Sequence, residues 1–573
     1  MAKYQKEASL ALTAGITSEK FPSFGGKLSS RYLILVLVII CIGGFSMRVF
    51  DLGRESFGED ELNKFETVEH YIYGGLSGEN GEHPFLMKGM QTVSVSIAHI
   101  YNNYGGVTTS QKITSEAALR FPTALIGTLT CLMIFLLIRE FFGEATGLFA
   151  AAFWAFDPNA IGFDRIAKED SFLLFFFLTG CYFWVRSQTL SEHENKNWAR
   201  YLWAAGASFG AMLASKYLIH ILAIPVAYYE VTEVISRRKW QIGKVRWFCF
   251  FLVLGVSFLV LNPTILLPET WHNILTFGTE NRIAHDSYEF MGTLYRNKIT
   301  LWFNGVPWYF YFVFIAVKTP LITLSFFLLG VLFLFQRKTG DGRIFLFFWA
   351  IMWFLPFSVI GGKFMRYFTV AQPLILIIAA IGCVYLSDTI STKLLGGKHR
   401  MQLATFFAAF VLASSILSSV KVAPDYRLFT NLPGGGTENA GFYFPHDEFY
   451  DSSTSNAVNA IATGTNAKIR VYSETPGLYK FYFENSGRNK IESVSLSDPQ
   501  QLEKINAGDF IVFARGRRYF SNEKIVAYLS AEVIPFARIN LGGIPSVTIY
   551  KLDEKTAEVV RKMPNAITKK PSN

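Results

Sequence analysis

Three consecutive carboxylates, Glu59, Asp60 and Glu61, follow shortly after the first long apolar run of the chain. Carboxylates crowded at a membrane surface repel one another, and cation or proton handling is their commonest functional explanation. The alternative is an acidic, solvated start to a helical segment over 62–71, which requires no chemistry. The residues alone leave both interpretations open.

A second group of candidates lies later in the same polar segment, where residues 82–88 read EHPFLMK. His83 and Lys88 supply cationic donors suited to a phosphate, and Pro84 between them fixes the direction of the chain. A helix-like pattern over 89–101 follows. We therefore predict that His83 and Lys88 bind substrate.

Three further cations, Arg120, Arg165 and Lys216, stand at or near the ends of apolar runs. An unpaired charge is costly there, so each is a candidate to hold the phosphate of a substrate. Snorkelling towards lipid headgroups explains the same placement without function. Asp164 or Asp170 is the expected salt-bridge partner of Arg165, and Asp170 is also counted among the substrate-binding candidates.

Polar and aromatic residues cluster again in two later segments. The first, with His285 as the main candidate, suits either a sugar pocket or a loop that packs on the first polar segment. The second holds Asp447 and Glu448 among aromatic residues, which suits stacking on a sugar and hydrogen bonds to its hydroxyls. With His446 and Asp451 these carboxylates could hold a divalent cation. A helix start capped by Asp447 explains most of the same residues, so we expect no metal.

These candidates lie between apolar segments that predict a membrane protein. Of the 573 residues, 51% are hydrophobic and only 17% are charged, which excludes an ordinary soluble protein of several domains. Runs long enough to cross, or nearly cross, a hydrocarbon core occur at Tyr32–Phe45, Ala124–Ile138, Ser171–Val185, Phe248–Leu261, Leu321–Phe335 and Pro373–Leu386. The net charge of +10 comes mainly from Lys and Arg between these runs, where they set topology rather than bind nucleic acid.

The hydropathy pattern predicts about eleven membrane crossings, with a basic N-terminal arm of residues 1–31 in the cytoplasm. On this count the basic segments between crossings all lie inside, as the positive-inside rule requires. The polar segments at 51–117, at 263–306 and after 421 then lie outside. The candidate residues are therefore expected at the outer side of a transmembrane domain over 32–420.

The C-terminal segment has a different pattern from the rest of the chain. Strand-like runs at Ile469–Tyr472, Phe510–Phe513 and Val547–Tyr550 alternate with helical patterns such as Glu523–Ser530. We predict a small extracytoplasmic α/β domain over 421–555 and a disordered tail over 556–573. All five cysteines lie in apolar runs and none in this segment, so disulfides are not expected.

Taken in order, these motifs resemble the protein O-mannosyltransferase family of C-type glycosyltransferases. The family's first loop carries an Asp-Glu pair and then Asp-His-Pro-Pro-Leu-x-Lys, which are similar to Asp60-Glu61 and to EHPFLMK over 82–88, where Glu and Phe replace the first Asp and the second Pro. The later matching segments are LRFP at 119–122, DRIAKEDS at 164–171 and ASKY at 214–217. Bacterial relatives, including the aminoarabinose transferases that modify lipid A, share PWY at 307–309, KTP at 318–320 and KFMRY at 363–367. Several motifs in the right order are hard to obtain by accident.

The resemblance implies transfer of a sugar from a polyprenyl phosphate to a hydroxyl acceptor outside the membrane, by inversion and without a metal or other cofactor. It implies that Asp60 is the catalytic base and that Glu61 positions the acceptor or raises the pKa of Asp60. Arg366 joins the substrate-binding candidates on the same basis. A donor already activated by its phosphodiester bond needs no nucleotide cradle, and the sequence has no GxGxxG or Walker-type loop.

Two other classes compete with a transferase. A membrane transporter would place ionisable residues in mid-helix, whereas here they concentrate at helix ends and in polar segments. A glycan-binding scaffold without catalysis would tolerate the loss of Asp60. The sugar stays open, as does the acceptor, which is a protein Ser or Thr, an envelope lipid or a glycan. The inner membrane of a bacterium is the expected location.

Overall fold

The computed structural model describes residues 30–236, 240, 242–279, 286–336, 340–464 and 469–563. Apolar helices form a bundle, and a five-stranded sheet lies near the C-terminal end. The predicted fold class, a polytopic helical membrane protein with a small C-terminal α/β domain, is confirmed. The predicted N-terminal arm lies almost entirely outside the described residues.

The first half of the chain is helical. It forms α1 (Ser30–Val49), α2 (Glu59–Gly74), α3 (Phe85–Tyr104), α4 (Ser115–Phe156), α5 (Pro158–Asp164), α6 (Glu169–Glu192), α7 (Trp198–Ser215), α8 (Ala223–Ser236), α9 (Lys244–Leu261) and α10 (Pro268–Thr279). An antiparallel hairpin follows, with β1 (Ser287–Phe290) and β2 (Thr293–Arg296). The remaining bundle helices are α11 (Phe310–Lys318), α12 (Leu321–Leu334), α13 (Gly342–Val359), α14 (Gln372–Leu394) and α15 (Arg400–Val422).

Within the described part of the chain, six helical segments are long and apolar enough to cross a membrane by length and composition: α1, a segment that contains α4, then α9, α13, α14 and α15. The shorter α12 is also apolar. Within α4 the chain bends at Gly143, whose φ of 86° lies in the left-handed region that favours glycine. This 42-residue segment therefore supplies two successive helices to the bundle. The total of about eleven crossings stays a prediction.

Buried polar contacts fix the C-terminal end of α1 against α5 and α6. Arg48 Nε lies 2.8 Å from Asp164 Oδ2, and both side chains are fully buried. Arg165 donates hydrogen bonds to the carbonyls of Arg48, Phe50 and Asp51 at 3.0, 2.6 and 3.1 Å. These carbonyls are among the groups that a helix end leaves without intrahelical partners. The expected pairing of Arg165 with Asp164 or Asp170 is therefore wrong, because backbone carbonyls hold its guanidinium instead.

The acidic run forms the first turn of α2. Glu59, Asp60 and Glu61 are its first three residues, where carboxylates are favoured by the helix dipole. Glu61 also accepts a hydrogen bond from the backbone N–H of Gly58, the residue that caps the helix, at 2.9 Å. The run is therefore a helix start, and α2 begins earlier and extends further than the segment over 62–71.

The C-terminal unit contains α16 (Pro445–Phe449), α17 (Thr454–Gly464), β3 (Ile469–Ser473), α18 (Pro476–Asn485), β4 (Ile491–Ser495), α19 (Pro499–Leu502), β5 (Phe510–Ala514), α20 (Glu523–Glu532), β6 (Ala537–Leu541), β7 (Ile544–Lys551) and α21 (Glu554–Lys562). The strands lie in the order β4-β3-β5-β7-β6. The β3 strand is parallel to β4 and β5, and β7 is antiparallel to β5 and β6. The three strand-like runs and the helix predicted from the sequence all form.

Both faces of this sheet are covered by apolar side chains. Tyr472 and Ile511 belong to one buried cluster, and their neighbours Val471 and Phe510 belong to another. This division follows from the alternation of side chains along a strand. The first cluster includes Ala557 and Val560 of α21, so the predicted domain end at 555 and tail from 556 are corrected: the fold reaches at least Met563. Residues 564–573 lie outside the described part of the chain.

Candidate active site

Three charged side chains from distant parts of the chain meet at the first turn of α2. The Asp60 carboxylate pairs through Oδ2 with Lys168, from the loop between α5 and α6. The same oxygen lies 3.4 Å from Nη2 of Arg366, in the 3-10 turn Met365–Val370 before α14. The side chain of Asp60 is 39% exposed. We call Asp60, Lys168 and Arg366 the open cluster.

The surroundings of the open cluster keep its carboxylate ionised. Burial raises the pKa of Asp60, but the cations Lys168, Arg366 and Lys64 outweigh this effect and hold the pKa well below its usual range. Burial also lowers the pKa of Lys168 to about 7, although Asp60 opposes the shift. Asp60 is therefore an anion ready to accept a hydrogen bond at neutral pH.

A second carboxylate lies behind the open cluster. Glu169, at the first position of α6, receives Lys64 Nζ at 3.0 Å and faces Nδ1 of His83 at 3.2 Å. Burial lowers the pKa of His83 to about 3 even though Glu169 opposes the shift. His83 is thus neutral near pH 7 in the empty site, and its role towards a phosphate stays a prediction.

The neighbouring Glu61 has a different environment. It is fully buried, and its two oxygens accept hydrogen bonds from Arg120 at 2.9 and 2.6 Å. The backbone N–H groups of Gly58 and Ala167 donate to it at 2.9 and 2.7 Å. Arg120 gives its remaining donors to the carbonyls of Leu52, Glu55 and Ser56. We call Glu61 and Arg120 the buried pair; it ties the turn before α2 to α4 and leaves neither partner facing a ligand.

Two more predicted phosphate ligands are occupied by the protein itself. Arg165 holds the end of α1, as described above. The ammonium of Lys88 is fully buried and donates to the carbonyls of Glu79 and Asn80 at 3.2 and 2.8 Å. In this structure both cations therefore fix loops rather than face a ligand.

Lys216 lies close to the open cluster. Its Nζ pairs with Asp170 Oδ1 at 2.6 Å, and its side chain is 21% exposed. The ammonium is 5.2 Å from the ring centre of Tyr367, and the Arg366 guanidinium is 5.7 Å from the same ring. Lys216 and Arg366 thus both lie beside the ring of Tyr367.

Asp447 supports Arg366 from the C-terminal unit. Its Oδ2 accepts hydrogen bonds from the Tyr288 hydroxyl at 2.6 Å and the Met365 backbone N–H at 3.0 Å. Its Oδ1 lies 3.6 Å from Nη1 of Arg366. The expectation that Asp447 caps a helix start is wrong, because the capping residue of α16 is Phe444, without a side-chain cap.

Glu448 and Asp451 pair with cations of the protein. Glu448 is fully buried against Lys318 and accepts the Gly441 N–H at 2.5 Å. Asp451 pairs with Arg517, which also reaches Glu59 at 3.1 Å. Among the described residues no group of His, Cys, Asp and Glu is arranged to hold a metal ion.

His285 lies outside the described residues, but its neighbours are visible. Asp286 accepts hydrogen bonds from the backbone N–H groups of Phe520 and Ser521 at 3.1 and 2.9 Å. Glu289 lies 3.2 Å from Arg518. These contacts join the second polar segment to the C-terminal unit. The same segment also packs on the first polar segment, where Glu269 accepts the Gly78 N–H at 2.8 Å and Asn273 donates to the Gly78 carbonyl at 2.7 Å.

A cavity of about 590 Å³ lies along α2. Asn63 and Thr67 line it, and they follow Asp60 at the helical spacing that places residues on one face. Glu79 and Glu269 contribute carboxylates on the facing side. Amide, hydroxyl and carboxylate groups suit a ligand rich in hydroxyl groups.

Sequence reasoning missed Lys64, Lys168 and Glu169. The last two stand inside the DRIAKEDS segment, between residues that were chosen. Lys64 follows Asp60 by one helical turn. A single sequence did not show that Lys168 and Lys64 would lie beside Asp60, or that Glu169 would pair with Lys64 behind them.

Comparisons with known proteins agree with this architecture. Residues 108–266 match the family model of dolichyl-phosphate-mannose-protein mannosyltransferases. No protein of curated function matches the chain significantly. The matched segment contains Arg120, Arg165, Lys168 and Lys216, whereas Asp60 and Arg366 lie beyond it.

The chain is similar to several solved structures to different degrees. The apo oligosaccharyltransferase of Archaeoglobus fulgidus has a TM-score of 0.50 and 12% identity, over 84% of this chain and 69% of that one. Apo ArnT from Cupriavidus metallidurans has a TM-score of 0.49 and 16% identity, over 91% and 98%. The protein O-mannosyltransferase complex of S. cerevisiae has a TM-score of 0.31 and 16% identity, over 45% and 38%. Residues 108–266 therefore resemble the dolichyl-phosphate-mannose-protein mannosyltransferases, and the chain shares its fold with the archaeal oligosaccharyltransferase.

Proposed function

We propose that the chain transfers a sugar, with mannose the first candidate, from a polyprenyl phosphate to a hydroxyl acceptor. The reaction takes place on the outer face of the membrane, with inversion and without a metal. The family that matches residues 108–266 is named for a polyprenyl-phosphate-linked mannose donor, which supports this donor class. Asp60 is the catalytic base.

The exposure of Asp60 is the observation that carries this proposal. Glu61, Glu169 and Asp170 in the same region are each no more than 5% exposed, whereas Asp60 is 39% exposed at a rigid helix start. A base must lie within hydrogen-bond reach of the acceptor hydroxyl. The polar cavity along α2 is the proposed acceptor site; its lining begins at Asn63, one helical turn after Asp60.

Lys168, Arg366 and Lys216 are the cations for the donor phosphate. Lys168 and Arg366 neutralise Asp60 in the empty site, and phosphate oxygens compete for the same donors. Once the donor takes over these contacts, Asp60 loses much of its stabilising charge and its pKa rises. Donor binding therefore makes Asp60 a stronger base at the moment the acceptor arrives.

The other predicted site residues act by positioning. Glu61 and Arg120 fix the turn before Asp60, Asp447 orients Arg366, and Asp170 holds Lys216. Arg165, Lys88 and Glu448 hold the surrounding loops, as their contacts indicate. His83 contributes as a neutral hydrogen-bonding group beside Glu169.

Purified protein in lipid nanodiscs tests the proposal. It is given polyprenyl-phosphate mannose with serine- or threonine-containing peptides, or with envelope lipids, in the presence of EDTA. Transfer that survives EDTA, yields an inverted anomeric linkage and is lost in Asp60→Asn supports the mechanism. Mass spectrometry of envelope protein and lipid, with and without the gene, identifies the acceptor. Wild-type protein that neither binds nor uses a polyprenyl-phosphate sugar contradicts the proposed function.

The proposed topology places the N-terminus in the cytoplasm and the C-terminal unit outside. Reporters fused after residue 573 distinguish the two sides. A reporter active only in the cytoplasm contradicts this orientation.

A further inference from the structure

Tyr450 presents a buried hydroxyl that lacks a partner. Its side chain is only 6% exposed, and among the described residues its hydroxyl has no hydrogen-bond partner. A buried polar group left unpaired destabilises a fold, and native structures contain few of them. The position therefore needs an explanation other than stability.

The backbone conformation at Tyr450 is also energetically unfavourable. Tyr450 has a φ of 46° and the next residue, Asp451, has a φ of 59°, both in the left-handed region that non-glycine residues rarely adopt. The contacts of Asp451 and Glu59 with Arg517 hold this conformation in place. Such strain persists where the surrounding structure imposes it, and it concentrates at functional sites.

The ring of Tyr450 lies against the start of α2. A Cβ atom added at Gly58 would lie 2.3 Å from the Tyr450 ring, so the two residues approach as closely as glycine permits. Burial raises the pKa of Tyr450, the Asp60 carboxylate adds to this, and Arg366 opposes it. The hydroxyl is thus protonated at neutral pH, and its ring lies against the turn that leads into Asp60.

The position of Tyr450 near the start of α2 places it close to the sugar in the proposed transfer. In an inverting reaction the sugar ring lies between the base on one side and the leaving group on the other. Asp60 is the proposed base, and the Tyr450 ring lies against Gly58, two residues before it. The sugar must approach Asp60, so it also approaches the buried hydroxyl beside the same turn.

We propose that Tyr450 contacts the substrate directly and donates a hydrogen bond to a hydroxyl of the sugar carried by the polyprenyl phosphate. This inference rests on the proposed function, and it makes the C-terminal segment part of sugar selection. A site built to hydrogen-bond a substrate hydroxyl rejects analogues that lack it, because the protein group is then left unpaired.

The test combines Tyr450→Phe with polyprenyl-phosphate mannose and its monodeoxy analogues at each free hydroxyl. For the wild type, loss of the contacted hydroxyl lowers kcat/KM by about tenfold, as does Tyr450→Phe with the intact donor. If the Tyr450 hydroxyl contacts one sugar hydroxyl, the effects of removing either group are not additive. Tyr450→Phe then shows no further decrease in kcat/KM with the one deoxy donor that lacks the contacted hydroxyl. If Tyr450→Phe lowers kcat/KM by the same factor with every deoxy donor as with the intact donor, the proposed contact is wrong.

Stability separates this role from a structural one. Tyr450→Phe removes an unpaired hydroxyl, so the melting temperature of the empty protein stays unchanged or rises. Tyr472→Phe is the matched control: Tyr472 is buried in the C-terminal unit and donates to the Gln501 carbonyl at 3.2 Å. Its loss lowers the melting temperature and leaves transfer unchanged. A similar loss of stability in Tyr450→Phe would count against the inference, whereas a wild type inactive with the intact donor refutes the proposed function itself.

Discussion

Asp60 and Glu61 are adjacent in sequence and carry the same charge, yet they belong to different kinds of site. Glu61 is buried and receives four hydrogen bonds from Arg120, Gly58 and Ala167. Asp60, one residue earlier, has a side chain that is 39% exposed, and it faces two cations through one oxygen. Hydrogen-bond saturation and exposure, rather than residue type, separate the group suited to chemistry from the group that positions it.

Substitution of Asp60 should have the largest effect. Asp60→Asn keeps the size and most of the capping ability of the side chain but removes the base, so transfer should fall by about 10²–10⁴-fold. Rates are measured with saturating donor, and donor binding is measured separately. Near-normal transfer by a folded variant would return Asp60 to the role of a helix-capping residue.

Glu61→Gln should lower the stability of the protein and leave its transfer activity largely intact. It leaves the buried guanidinium of Arg120 without its counter-charge, which costs about 3–5 kcal/mol of stability. Thermal unfolding in detergent should show the loss, while the fraction that stays folded retains most of its transfer activity. If Glu61→Gln instead matched Asp60→Asn, stable but inactive, the contrast between the two carboxylates would be wrong.

The pH dependence sharpens the account of the open cluster. Lys168 has its pKa lowered to about 7, so it loses its charge, and its hold on the donor phosphate, as the pH rises through that value. The kcat/KM for the donor should fall by about tenfold between pH 6 and pH 8. Lys168→Arg keeps its charge and should flatten this decline. If kcat/KM of Lys168→Arg still falls as steeply between pH 6 and pH 8, the decline is not caused by deprotonation of Lys168.

The smallest effect is expected at His83. Its pKa of about 3 keeps it neutral, so its charge makes no contribution to phosphate binding near pH 7. His83→Asn retains a polar group beside Glu169 and should change the donor KM by less than about threefold. A much larger change, together with the loss of a titration step between pH 5 and pH 7, would restore His83 as a cation.

The sequence was sufficient for the architecture. The six apolar runs correspond to α1, α4, α6, α9, α12 and α14, and strand-like patterns located β3, β5 and β7 of the C-terminal unit. These signals are local, because burial imposes a period on each segment separately. Strands β4 and β6 were not predicted from the sequence. They form the two edges of the sheet, and their partly exposed residues give a weaker apolar pattern.

The site could be predicted only in part, because its chemistry depends on pairing over long distances. Arg120 and Arg366 both looked like phosphate ligands, but only the structure shows that Glu61 and three carbonyls occupy Arg120. Lys168 was passed over because nothing local distinguishes it from Arg165. Residue type and position along the chain do not specify which partner a side chain meets.

The first and last parts of the chain complete the site together. Arg427 pairs with Glu55 at 2.5 Å, the Ser56 N–H donates to the Ser452 carbonyl at 3.0 Å, and Arg517 bridges Glu59 and Asp451. Contacts between residues so far apart in sequence form late, since the intervening chain must be ordered first. The turn that carries Asp60 therefore gains its complete set of contacts only after the C-terminal unit has been translated and has docked.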